Sequence, residues 1–156
     1  MPLSIILLSV LGLAPFIACG LAALGTDPVS AARMLDALIA WAAAVLAFAG
    51  GVHWGLVLRG TDATPAPMQH GRIGLAVLPL IVAWVALVLP LVAPAWISLL
   101  LLIAGYIGSV VVEHRGGQSD ILPLNYVWLR WGFTIVAVAM LTTVLTLHLL
   151  RHTIAY

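Results

Sequence analysis

Apolar positions in this chain run together rather than alternating with polar ones. Between Leu3 and Leu24 the side chains are almost all hydrocarbon, and from Ile73 to Val112 there is no charge at all. A strand of a closed barrel would alternate apolar and polar residues, whereas Ile73 to Leu89 is apolar on every face of any periodic structure, so the pattern predicts helices. A helix that crosses a bilayer needs about 20 such residues, and the chain divides into five stretches of about that length. The first is 3–24, with Pro15 as a kink and Gly25 as a stop. The second is 28–58, opened by Asp27 as N-cap with Pro28 at the first helical position. It is long, roughly 45 Å at 1.5 Å per residue, so its first turns stand outside the hydrocarbon. Gly60, Pro65, Pro67 and Gly71 make Arg59 to Arg72 a loop. Pro90 and Pro94 then break the uncharged run into helices at 73–89 and 95–112. Glu113 to Arg130 is the longest polar segment, and 131–150 is the fifth helix.

Composition moves this picture from helical to membrane-embedded. The chain has 156 residues, 64% hydrophobic and 7% charged, with a mean hydropathy of +1.22. Soluble domains carry roughly 25% charged residues, so this exterior has too little charge to face water. The expected fold is an all-α integral membrane protein, a five-transmembrane-helix bundle forming one domain over residues 1–156. The first stretch is read as a retained helix rather than a signal sequence, since no Arg or Lys precedes it and its apolar run is too long. The formal charge of +1 gives no argument for nucleic acid, and one cysteine, Cys19, excludes an intrachain disulfide.

Charge placement sets the expected orientation. With five crossings the amino terminus, Arg59, Arg72, Arg115 and Arg130 share one side, here the N-side, and Arg33 and Arg151 the other. The Arg excess makes the N-side cytoplasmic. Trp54, Trp128 and Trp131 at one boundary, and Trp41 and Trp96 at the other, read as interfacial belts. The expected location is the bacterial cytoplasmic (inner) membrane, with the carboxy terminus on the opposite side from the amino terminus.

Candidate chemistry is sparse. Ala43, Ala47, Gly51 and Gly55 recur every four residues and form a smooth ridge, echoed by Gly105 and Ser109 on the fourth helix. Such ridges let helices approach closely, either within the bundle or in a homodimer. His53 is the ionisable residue set well inside an apolar span, roughly 8 Å from the N-side end of its helix. It lies about 200° around that helix from Gly51, away from the ridge. Buried ionisable groups in membranes face the bundle interior. His53 therefore either bonds to a neighbouring helix or to Glu113, or serves a ligand or a proton. His148 lies near the other end of its helix, so the two histidines cannot share one haem iron. With His53, Trp54, Arg72, Glu113, Arg115, Tyr126 and Arg130 form a possible polar mouth for an amphiphile. The alternative is a solvated loop whose Arg residues set topology. No nucleophile with a companion base, phosphate-binding Gly loop or intramembrane carboxylate pair is present. No metal site is expected, and the cofactor is left open.

The segment Gly50-Gly51-Val52-His53-Trp54-Gly55 resembles an uncharacterised membrane family that includes mitochondrial transmembrane protein 69 and many proteobacterial proteins. Gly12-Leu13-Ala14-Pro15-Phe16 and the set Pro123, Tyr126, Leu129 and Arg130 extend the likeness over nearly the whole chain. The resemblance implies an inner-membrane or mitochondrial location and no reaction. The function expected first is a non-enzymatic accessory or assembly factor for energy-converting membrane complexes. It would contact the lipid bilayer and other membrane proteins, or a second copy of itself. The alternatives are a binder or facilitator of a quinone, lipid or porphyrin near His53, and an intramembrane enzyme.

Overall fold

The computed structural model describes residues 3–25, 27–58, 66–115 and 124–154. They fold into five α-helices: α1 (Leu3–Ala23), α2 (Pro28–Leu58), α3 (Ala66–Val88), α4 (Ala95–Arg115) and α5 (Leu124–Ile154). Among the described residues, three helical stretches, Pro28–Gly55, Ala95–His114 and Tyr126–Leu150, are long and apolar enough to cross a membrane.

Local chemistry explains most of the helix ends. Asp27 caps α2, its carboxylate accepting the Ser30 backbone N–H at 2.9 Å, while Pro28 starts the helix where a missing N–H is harmless. Hydrogen bonds from Ser30, first through its side chain and then its backbone, hold the Asp27 carboxyl below its ordinary value. A 3₁₀ turn at Leu89–Leu91 joins α3 to α4, closed by Val92 and Ala93 N–H groups on the Leu89 carbonyl.

Two expected boundaries are corrected. Helix α3 begins at Ala66, inside the segment expected to be a loop, because a Pro in a helix's first turn breaks no hydrogen bond and Pro67 sits there. The segment from Glu113 to Arg130 is helical at both ends: α4 continues to Arg115 and α5 starts at Leu124. Within α1, Pro15 lies inside one continuous helix.

Consecutive helices are neighbours, and α1 also lies against α5, so the five form a ring in sequence order with α2 touching α4 across it. Among the described residues, α2 and α5 are not extensively packed against each other. The core is an aliphatic and aromatic stack of Phe16, Leu38, Ile39, Leu46, Leu99, Leu102, Tyr106, Leu141 and Val144, all fully or nearly fully buried. Phe16 meets Tyr106 and Phe133 edge-on, with ring centroids 6.3 and 5.7 Å away. The buried Tyr106 hydroxyl donates to the Ala42 carbonyl at 2.8 Å, which joins α4 to α2. Outside, Phe48, Leu58, Leu91 and Val92 are more than three-quarters exposed. Thr143 and Thr146 satisfy their own hydroxyls on carbonyls one turn back, which suits an apolar surrounding.

Small residues divide into two groups. Gly105 is a close-packing position: a Cβ there would lie 2.8 Å from both Leu46 Cδ2 and Val82 Cγ1. At Gly51 and Gly55 a Cβ would meet nothing within 4 Å among the described residues, and both are exposed. The expectation that they pack inside the bundle is therefore corrected, since only the Ala43 end of that ridge is buried. Ala47 is half-buried against the core.

A buried charge cluster beside a lateral cleft

The inward stripes of α2, α4 and α5 end in polar residues at the same end of the bundle. On α2 the stripe runs Leu38, Ala42, Leu46, Ala49 and His53; on α4 it runs Leu99, Leu102, Tyr106, Val110 and Glu113. On α5 it runs Val144, Leu141, Ala137, Thr134 and then Arg130, one turn earlier. Helical periodicity thus brings three ionisable side chains from three helices to one place.

They meet through the Glu113 carboxylate. Its Oε2 lies 3.8 Å from His53 Nε2 and 3.7 Å from Arg130 Nε. Side-chain exposure is 3% for His53, 7% for Glu113 and 9% for Arg130. At these distances charges attract but hydrogen bonds are not made. Glu113 Oε2, Arg130 Nε and His53 Nδ1 are all buried without a hydrogen-bond partner. Arg130 is anchored by its other end, where Nη2 donates to Ser109 Oγ at 3.0 Å and that hydroxyl donates to the Tyr106 carbonyl at 3.0 Å. Ser109, expected as a packing residue, thus serves as a polar anchor between α4 and α5. Buried polar groups are nearly always satisfied, so three orphaned atoms in one cluster make it the candidate site.

Arg130 faces a second environment. A cleft of about 590 Å³ opens between α2 and α5, lined by Gly12, Trp41, Ala44, Val45, Phe48, Ala49, Val52, Tyr126, Leu129, Arg130 and Phe133. It lies between α2 and α5, beside Gly12 of α1. Its walls are hydrocarbon and aromatic, and Arg130 is its charged residue. Between α4 and α5, a small void beside Glu113 and Arg130 measures about 10 Å³.

The structure brings together only part of the expected mouth. Tyr126 and Arg130 line the cleft, with Glu113 against the Arg130 guanidinium and His53 behind Glu113. Trp54 is 45% exposed and belongs to neither cleft nor cluster. Arg72 lies on α3 and Arg115 ends α4, but their side chains fall outside the described residues, as do Arg59 and Asp120. Among the described residues no three metal-ligating side chains come together.

Trp41, Phe48 and Phe133 are cleft residues that sequence reasoning missed. Trp41 had been expected in an interfacial belt; instead its indole N–H donates to the Gly12 carbonyl at 3.1 Å while its ring lines the cleft. Spacing offered a signal: Trp41, Phe48 and Val52 fall on one face of α2 at steps of seven and four residues.

Taken together these features define a class: an all-helical protein, with three helices apolar enough to cross a membrane, that buries a charge cluster beside an open apolar cleft. The family model of a protein of unknown function, DUF3429, matches residues 1–146, and the chain belongs to that family. No curated protein and no solved structure matches the chain.

Proposed function

We propose that this protein binds a small lipid-soluble amphiphile in the cleft between α2 and α5. The observation that carries the reading is Arg130, a guanidinium nine-tenths buried that lines an otherwise apolar cleft. Ligand sites are apolar hollows of about this size, with a few polar groups that fix orientation. An opening between two helices admits a molecule sideways from a bilayer. The protein crosses that bilayer five times in this reading, with α1 and α3, at 21 and 23 residues, as the remaining spans. It resides in the bacterial cytoplasmic membrane with its amino terminus inside, and its membership would extend to the mitochondrial relatives its sequence resembles. The reading gives binding or facilitation of a ligand, without a reaction.

Native mass spectrometry after release from mild detergent tests the binding. Wild type should retain a lipid-soluble adduct, and Ala44→Trp, which fills the cleft from an exposed position on α2, should lose it. Two identical adduct-free spectra would end the proposal.

The outward-facing Gly51 and Gly55 favour a second reading, an accessory or assembly factor that offers this ridge to a helix of another membrane protein or of a second copy. Stoichiometric partners should then co-purify with wild type and be lost from Gly51→Leu. A monomer without partners in both preparations counts against that role.

A further inference from the structure

The charge balance of the buried cluster bears on what the cleft accepts. We infer that the head group of the bound amphiphile is uncharged and carries a carbonyl-type oxygen, as in a ketone, ester or quinone, which accepts a hydrogen bond from Arg130. This rests on the cleft being the binding site.

Two requirements narrow the choice. Arg130 has donors to offer, because a guanidinium carries five N–H groups and the structure accounts for one through Ser109. The ligand head must therefore accept hydrogen bonds. Arg130 also already has its counter-ion: Glu113 sits 3.7 Å away, itself buried. With histidine counted as neutral, as in the chain's formal charge, Arg130 and Glu113 sum to zero. Among the described side chains of α1 and α3 none is charged. An anionic head placed against Arg130 would leave one unpaired negative charge in an apolar enclosure, close to the Glu113 carboxylate. Uncompensated charge in such surroundings is strongly disfavoured. A neutral carbonyl uses the same donors with no net charge added. The aromatic walls formed by Trp41, Phe48 and Phe133 suit the apolar body of such a molecule.

Quenching of Trp41 by bromine reads out the preference. Protein in neutral-lipid nanodiscs at pH 8 is titrated with methyl 11-bromoundecanoate, 11-bromoundecanoate and 1-bromoundecane, each corrected for partition into empty discs. The signal assigned to the cleft is the part lost in Trp41→Phe. The ester should bind at least about tenfold more tightly than the carboxylate, a difference of about 1.4 kcal/mol, and more tightly than the headless bromide. Glu113→Gln removes the counter-ion but keeps an acceptor for Arg130, so it should invert the order and favour the carboxylate. Equal or tighter binding of the carboxylate by wild type overturns the inference while leaving the cleft as a binding site. If no probe quenches Trp41 beyond the lipid background, the cleft reading itself fails. The wild-type comparison stands even if Glu113→Gln folds poorly.

Discussion

Tyr106 and Glu113 lie two turns apart on the same face of α4, and both are buried, at 0% and 5% exposure. Their surroundings differ. The Tyr106 hydroxyl has a partner at 2.8 Å, the Ala42 carbonyl, and edge-on contact with Phe16. Glu113 Oε2 has two cationic or potentially cationic neighbours near 3.7 Å and no hydrogen bond. Buried polar groups are nearly always satisfied by the fold itself. Two turns along one helix, this protein passes from a satisfied polar group to an unsatisfied one.

The largest expected effect separates the two regions. Arg130→Met strands the buried Glu113 and should destabilise the protein by about 3–5 kcal/mol, the usual result of removing one partner of a buried pair. Adding Glu113→Leu should recover most of that loss, because a hydrophobic replacement of both partners is often neutral. Unfolding by SDS in mixed micelles, followed by circular dichroism, measures both variants. A double variant as unstable as the single one would mean that the cluster supports the fold and is not a site.

Next in size is the contrast between two kinds of glycine. Gly105→Leu drives a side chain into Leu46 and Val82 and should cost about 1–3 kcal/mol by overpacking. Gly51→Ala and Gly55→Ala meet no described residue within 4 Å, and they should stabilise the isolated protein by up to about 1 kcal/mol through helix propensity. The same unfolding assay decides, and a matching loss at Gly51 and Gly105 would erase the distinction. Tyr106→Phe comes below these. It removes one hydrogen bond, and the carbonyl it leaves lies within α2, so the expected loss is about 1 kcal/mol.

These contrasts also show what could be read before the fold was known. The bounds of α2 were legible because Asp27-Pro28 states its own cap chemistry, and the uncharged run with Pro90 and Pro94 located the α3–α4 turn. His53 was legible as inward-facing and as a partner for Glu113, because depth and periodicity constrain one helix at a time. The starts of α3 and α5 were not, since Pro67 and the polar residues near Asn125 serve equally in a loop or in a helix's first turn. Nor could spacing tell Gly105 from Gly51: a small-residue stripe shows that approach is possible, not which neighbour approaches. The cleft was least legible, for it depends on α2 and α5 standing apart while α1 and α4 hold them. That pairing is a property of the whole ring.

The smallest effect lies farthest from the cluster and completes the contrast between satisfied and unsatisfied acids. Asp27 is fully exposed, yet its carboxylate is well partnered: it caps α2 through Ser30, whose hydrogen bonds lower its pKa from the ordinary 3.8. A group whose pKa is lower in the folded state contributes stability above its unfolded value and loses it as pH falls through the folded one. The contribution of the cap should therefore be complete above about pH 5 and be lost as pH falls through 3.8 towards the lower folded value. Amide exchange at Ser30 and Ala31 should quicken below pH 3.8, relative to its intrinsic rate, while exchange at Leu46 in the core of the same helix does not. Asp27→Asn retains an uncharged capping oxygen and should flatten that pH dependence without unwinding the first turn. If exchange at Ser30 is equally pH-dependent in Asp27→Asn, the carboxylate does not hold this helix end, and satisfied and unsatisfied acids would no longer be told apart by their hydrogen bonds.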